Sequence, residues 1–249
     1  MDVHGNVYSI NAKKPYYGNS VSADDFSRAF EFAYEMAFGS GHHRCYRAGG
    51  NLHRRAGEIF CNTFQGKLAE LGLYESLLYQ GIICDEPDFG VYGLGEWDSF
   101  DLKANGRTIS VKSAAFFSNL LLNEASVYDR DGNYTPNLKS GKPCSYDYYA
   151  LVRVRPDVKS LFRRERLMYE NEIEKEKILE LLNREPNWTY DVTGWIEHRE
   201  FVEAIHEMRI IPKGSLLNGR VPMDADNYYI QSGDMHPLPE LTERLKACC

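Results

Sequence analysis

Trp97-Asp98-Ser99-Phe100-Asp101-Leu102-Lys103-Ala104-Asn105-Gly106-Arg107-Thr108-Ile109-Ser110-Val111-Lys112 spells a β-hairpin. Asn-Gly is the strongest short-range signal for one, because both central residues of a type I′ turn need positive φ. With Asn105 and Gly106 as the turn, counting outward fixes the register. Ala104 faces Arg107, Leu102 faces Ile109, Asp101 faces Ser110 and Ser99 faces Lys112. Side chains alternate across a strand, so Phe100, Leu102, Ile109 and Val111 share one face, and Ser99, Asp101, Ser110 and Lys112 share the other. The apolar face seeks a core. The opposite face gathers a carboxylate, a hydroxyl and an ammonium. A diagonal surface ion pair between Asp101 and Lys112, worth about 0–1 kcal/mol, is the structural alternative.

A helix leads toward the hairpin. From about Arg54 to Tyr79 the apolar series Ile59, Phe60, Phe64, Leu68, Leu71 and Leu78 has helical spacing. Gly66 costs about 1 kcal/mol in a helix interior, which predicts a close approach by another backbone there. Glu70 lies one turn further on. Before this helix, residues 39–55 hold His42, His43, Arg44, Arg47, His53, Arg54 and Arg55 with almost no acid. That stretch reads either as a phosphate-contacting loop, with Arg44, Arg47, Arg54 and Arg55 as its cations, or as a solvated loop.

Residues 1–20 read as an irregular arm, followed by a helix capped by Ser22-Ala23-Asp24-Asp25 and ending near Gly39. Beyond the hairpin, Ala114 to Leu122 fits helix or strand, and Asp129 to Lys142 reads as loop. Tyr146 to Arg155 reads as a strand with Tyr149, Leu151 and Val154 in the core, ended by Pro156. Residues 157–183 read as one charged helix whose Glu172 to Lys177 run faces solvent. A short helix near Glu200 to Met208, a turn at Pro212-Lys213-Gly214, a strand at Tyr228-Tyr229-Ile230 and a last helix after Pro239 complete the pattern. The reading is one domain over 1–249, with an N-terminal arm and a C-terminal elaboration.

Composition narrows the function classes. A 249-residue chain that is 43% hydrophobic and 13% aromatic has ordinary globular composition. No apolar run reaches the ~18 residues of a membrane span, and the start Met1-Asp2-Val3-His4-Gly5 lacks signal-peptide character, which places the expectation in the cytoplasm. The six cysteines carry no C-x-x-C pair and no histidines at zinc-ligand spacing. A Cys-His enzyme built on Cys45 or Cys61 with His42 or His43 lacks any accompanying nucleophile motif. A net charge of −7 argues against coating nucleic acid through bulk positive charge, but not against a local basic rim around an acidic site.

A helix with a late glutamate, then a hairpin bearing Asp and x-x-Lys, then further α/β elements, resembles the restriction-endonuclease-like PD-(D/E)XK nuclease superfamily over roughly residues 55–155. The resemblance implies an α/β (α+β) core, with a central mixed β-sheet flanked by helices. It implies Mg²⁺-dependent hydrolysis of double-stranded DNA, most simply by a type II restriction endonuclease acting as a homodimer on a palindromic site. A structure-specific repair or recombination nuclease, or a silent nucleic-acid-binding module, is the alternative. Asp101 takes the position of the metal-binding aspartate, Ser110-Val111-Lys112 that of the (D/E)-x-K element, and Glu70 that of the helix acid, so that Asp101, Glu70, Ser110 and Lys112 form the catalytic set and Asp101 and Glu70 hold the metal. Ser110 departs from the pattern, since a neutral hydroxyl replaces a carboxylate. The second acid must come from elsewhere, with Glu70 preferred and Glu124 the other choice. Asp88, in Glu86-Pro87-Asp88-Phe89, is the literal Pro-Asp, but the hairpin register prefers Asp101; Asp98 falls on the opposite side of the strand. Arg220 and Asn218 are of residue types that read base edges.

Overall fold

The computed structural model describes residues 1–39, 55–90, 101–136 and 145–247. The hairpin forms in the expected register. Strands β4 (Leu102–Ala104) and β5 (Arg107–Ala115) pair Leu102 with Ile109 and Ala104 with Arg107. Asn105 and Gly106 have φ of 45° and 78°. The turn is also held from outside: the Asn105 N–H donates to Ile83 O, and its Nδ2 donates to Leu245 O.

β5 runs on parallel to β7 (Tyr148–Arg155), with Ile109 opposite Tyr148 and Ala115 opposite Val154. β7 in turn pairs antiparallel with β8 (Thr189–Glu197), and the two-residue β3 (Asn19–Ser20) edges β8. The sheet order is therefore β3-β8-β7-β5-β4, a mixed sheet. Every residue of β7 from Tyr148 to Val154 is buried, as expected of a central strand covered on both faces.

One face carries Leu102, Ile109, Ala150, Val152 and Val154. It is covered by α1 (Ala23–Phe38), α2 (Ala56–Tyr79), α3 (Val158–Arg164), α4 (Lys175–Asn183) and α6 (Leu238–Lys246), with Phe60 stacked between Phe64 and Phe162. Ser22 caps α1 by accepting from the Asp25 N–H, and Gly39 ends it. The other face carries Ser110, Tyr149, Leu151 and Ile196. It lies under α5 (His198–His206) and a three-stranded antiparallel sheet of β6 (Leu120–Glu124), β12 (Asn227–Gln231) and β9 (Ile210–Ile211). The molecule is thus an α+β fold, a mixed sheet between helices and a mixed layer. Among the described residues no helix is long and apolar enough to cross a membrane.

Three expectations are corrected. The first ten residues are not irregular: β1 (Asp2–His4) and β2 (Val7–Ser9) form a hairpin that joins β10 (Leu216–Leu217) and β11 (Val221–Pro222) in a small sheet. Residues 157–183 are not one helix. Arg166 adopts a φ of 58°, Leu167 and Met168 turn into the core, and helix resumes at Lys175, where Ile178, Leu181 and Leu182 again define a buried stripe. Gly66 faces open space; the close approaches on α2 are at Gly57 and Gly72. A Cβ at Gly57 would lie 2.1 Å from Leu167 O, and one at Gly72 would lie 2.6 Å from the Tyr190 ring.

Asp147 ties the start of β7 to β5. Its Oδ2 accepts from the Thr108 N–H (2.8 Å) and Oγ1 (3.0 Å), and its Oδ1 accepts from Arg107 (2.9 Å). Burial alone would raise this carboxyl, but the bonds from Thr108 and Arg107 outweigh it and hold the group below the usual carboxylate range. A lowered folded-state pKa stabilises the fold above the unfolded value near ~3.9, and the contribution disappears as pH falls through the folded value. Asp147→Asn is therefore expected to cost about 1–2 kcal/mol in urea unfolding at pH 7. The gap should close towards pH 2; an equal gap at both pH values would refute the assignment.

Candidate functional site

Asp101 immediately precedes β4, and its carboxylate reaches across to β5. Oδ2 accepts from the Val111 N–H at 2.6 Å and from Ser110 Oγ at 3.2 Å. The aspartate thereby caps the hairpin ladder at the point where the β4 backbone stops pairing. Its Oδ1 has no hydrogen-bond donor among the described residues. Ser110 is fully buried, so its hydroxyl has been withdrawn from solvent and acts on the carboxylate.

Lys112 lies two residues on and therefore on the same face as Ser110. Its neighbour across the parallel ladder is Leu151, a member of the core on that side. Lys112 is half-buried, and among the described residues it has no hydrogen-bond or ion-pair partner. The alternative of an Asp101–Lys112 ion pair is not formed: the carboxylate goes to the β5 backbone and to Ser110. What remains is a carboxylate oxygen and an ammonium, both without a partner among the described residues, on one side of one hairpin.

The two choices for a second acid sit on opposite sides of the sheet. Glu70 belongs to α2, which packs on the face bearing Leu102 and Ile109; α2 touches β5 there through Gln65 Nε2, which donates to Ser113 Oγ at 3.3 Å. Glu70 pairs with Lys67 at 2.6 Å, and the same Lys67 ammonium donates to Asp88 O at 2.6 Å and lies over the Phe32 and Phe89 rings. The structure thus brings Glu70 and Asp88 together around Lys67. Glu124 ends β6, in the layer that covers the Ser110 and Lys112 face, where it accepts from Ser126 Oγ at 2.7 Å. Among the described residues no group of three His, Cys, Asp or Glu side chains is arranged to hold a metal ion.

Of the basic loop, Arg44, Arg47 and Arg54 lie outside the described residues, as do Asp98 and Ser99. Arg55 is exposed at the start of α2. Asn218 takes a turn conformation with φ of 50°, and its Oδ1 accepts from the Ile10 N–H, which gives it a structural task. Arg220 is exposed beside it. Burial pushes the Cys61 thiol far up and Cys84 up to about 12, which disfavours the thiolate a cysteine nucleophile needs.

Two polar clusters have almost no signature in the sequence. Arg153 and Asp191 form a buried pair between β7 and β8, with Thr193 Oγ1 donating to the same carboxylate oxygen at 2.8 Å. His236 Nε2 lies 2.8 Å from Glu200 and its Nδ1 3.2 Å from Glu240, joining α5 to α6. An arginine within the apolar run Tyr148 to Val154 was the one available signal, because a charge in a strand covered on both faces must have a buried partner. No family model matches the chain, and no curated protein or solved structure is detectably similar to it.

Proposed function

We propose that this protein is a Mg²⁺-dependent endonuclease that hydrolyses phosphodiester bonds of double-stranded DNA, acting as a type II restriction enzyme on a short sequence and as a homodimer. The observation that carries the reading is the hairpin itself: among the described residues Asp101 offers one carboxylate oxygen without a donor beside Ser110, and the Lys112 ammonium, without a partner, stands two residues from Ser110 on the same face. The donors fit the ion, because Mg²⁺ commonly takes only one or two carboxylates and completes its shell with water and substrate phosphate oxygens. Asp101 Oδ1 would hold it, with Glu124, in the layer that covers the Ser110 and Lys112 face, as the second carboxylate.

When bound, Mg²⁺ supplies positive charge to the phosphate and acidifies a water. Ser110 and the Val111 N–H fix the Asp101 carboxylate so that its free oxygen points one way. Lys112 orients the attacking water and neutralises charge on the phosphorus-bound oxygens; its half-buried position strengthens that interaction. The test is incubation of the protein with unmethylated plasmid and phage DNA, with Mg²⁺ or with EDTA. Discrete Mg²⁺-dependent fragments are expected. DNA left intact overturns the nuclease reading; if that DNA is retarded in a gel, the protein is a silent nucleic-acid-binding module, the outcome that a serine in place of the motif carboxylate favours.

A further inference from the structure

Lys14 is a half-buried cation that forms no ion pair with any described residue. Its Nζ donates to two backbone carbonyls, Thr193 O at 3.2 Å and Met235 O at 2.7 Å, and no carboxylate lies within ion-pair distance of it among the described residues. An ammonium has three protons to donate, so one is left over. The acid nearest in the fold is already spent. Asp191 Oδ2 takes Nε and an η nitrogen of Arg153 and the Thr193 hydroxyl, and Oδ1 takes the Tyr17 N–H. Glu240, the other acid that acts on Lys14, is joined to His236 Nδ1. Arg153 and Lys14 thus share the Asp191 carboxylate in a site partly withdrawn from water, with Glu240 acting on Lys14 only from beyond ion-pair distance. Burial accordingly pushes the Lys14 ammonium below its usual value, partly offset by Asp191.

An anion has a place to sit beside the remaining Lys14 proton. Lys14 lines a cleft of about 620 Å³ between residues 14–19, the β8 segment 191–193 and the start of α6. That volume falls in the range of small-molecule sites, which run to roughly 300–1,000 Å³. Tyr16, Tyr17, Pro237 and Pro239 give it flat walls, with Tyr17 72% exposed at the rim, and the one acid in its lining, Asp191, is engaged by Arg153, Thr193 and the Tyr17 N–H. The positive end of the α6 dipole lies at the same wall.

We propose that this cleft is an oxyanion-binding site, in which the Lys14 ammonium takes a carboxylate or phosphate and the tyrosine and proline walls take the flat body that carries it. The site is separate from the Asp101 hairpin and stands whether or not the protein cleaves DNA.

The test is acetylation of the full-length protein with acetic anhydride, read residue by residue by mass spectrometry, with the exposed Lys213 as internal reference. Benzoate and thymidine monophosphate are compared with their neutral counterparts, benzyl alcohol and thymidine, at constant ionic strength. At a probe concentration of ~10 Kd, labelling of Lys14 relative to Lys213 should fall about tenfold with either anion, or both, and with neither neutral compound. Protection by the nucleotide alone identifies a phosphate source, and protection by benzoate alone identifies a carboxylate. No protection, or equal protection by charged and neutral probes, overturns the site. In calorimetry, Lys14→Met should lose the heat of binding while Lys14→Arg keeps it; the labelling experiment needs neither variant to fold.

Discussion

Lys112→Met should abolish DNA cleavage and leave the fold untouched. A positioned group that orients water and meets developing negative charge contributes roughly 10²–10⁴-fold to such a reaction, and that is the expected loss in rate under single-turnover conditions. The stability arm of the experiment is sharp because Lys112 has no partner among the described residues: truncating its head leaves no orphaned donor or acceptor, and methionine keeps the apolar stem against Leu151. Thermal unfolding of Lys112→Met should match the wild type or exceed it, since a half-buried unpaired charge is removed. Asp101 behaves differently. Its Oδ2 holds the Val111 N–H and Ser110, so Asp101→Ala mixes loss of charge with loss of the hairpin cap, whereas Asp101→Asn keeps an acceptor oxygen. Asp101→Asn should therefore stay folded and inactive. Wild-type cutting by Lys112→Met would remove the lysine from the mechanism, and a destabilised Lys112→Met would mean that its ammonium has a structural partner.

The hairpin was legible because its signals are local. Positive φ at Asn105 and Gly106, the pairing of Leu102 with Ile109 and the Ser22 cap of α1 each depend on neighbours a few positions away, and each appears in the structure. Gly66 departs from the sequence expectation because a helical glycine reports a close approach only when something lies opposite, and what lies opposite is set by distant chain. The neighbours of Gly57 and Gly72 are Leu167 and Tyr190, some hundred residues away. The break between α3 and α4 was hidden for the opposite reason. A charged run satisfies helical propensity well, and only the burial of Leu167 and Met168 against the α2 side of the sheet pulls the chain out of it. The second acid cannot be chosen from sequence, because Glu70 and Glu124 belong to elements that cover opposite faces of the sheet, and spacing along the chain carries no information about which face an element covers.

Arg153 is where the fold itself is most exposed to a single change. The side chain is 1% exposed, and its guanidinium serves several acceptors at once: Asp191 Oδ2 from Nε at 2.9 Å and from an η nitrogen at 2.6 Å, Pro15 O at 2.6 Å, Lys14 O at 3.1 Å and Asn119 Oδ1 at 3.3 Å. One residue thus joins the N-terminal segment, the turn before β6 and two central strands. Arg153→Met keeps the length of the stem but strands the carboxylate of Asp191, a residue 5% exposed, with Thr193 Oγ1 and the Tyr17 N–H as its remaining hydrogen-bond donors among the described residues and the Lys14 ammonium acting on it from beyond ion-pair distance. Breaking a buried pair from one side typically costs about 3–5 kcal/mol, and urea unfolding at pH 7 should show a loss of that size. The double change Arg153→Met with Asp191→Asn removes the uncompensated charge and should recover part of the loss, so that the two effects are non-additive. The N-terminal segment should not recover with it. Pro15 O and Lys14 O stay without their donor in both variants, and amide exchange at Lys14 and Tyr17 should remain fast. A double variant as unstable as the sum of its single changes would mean that the carbonyl contacts, and not the ion pair, hold this corner together.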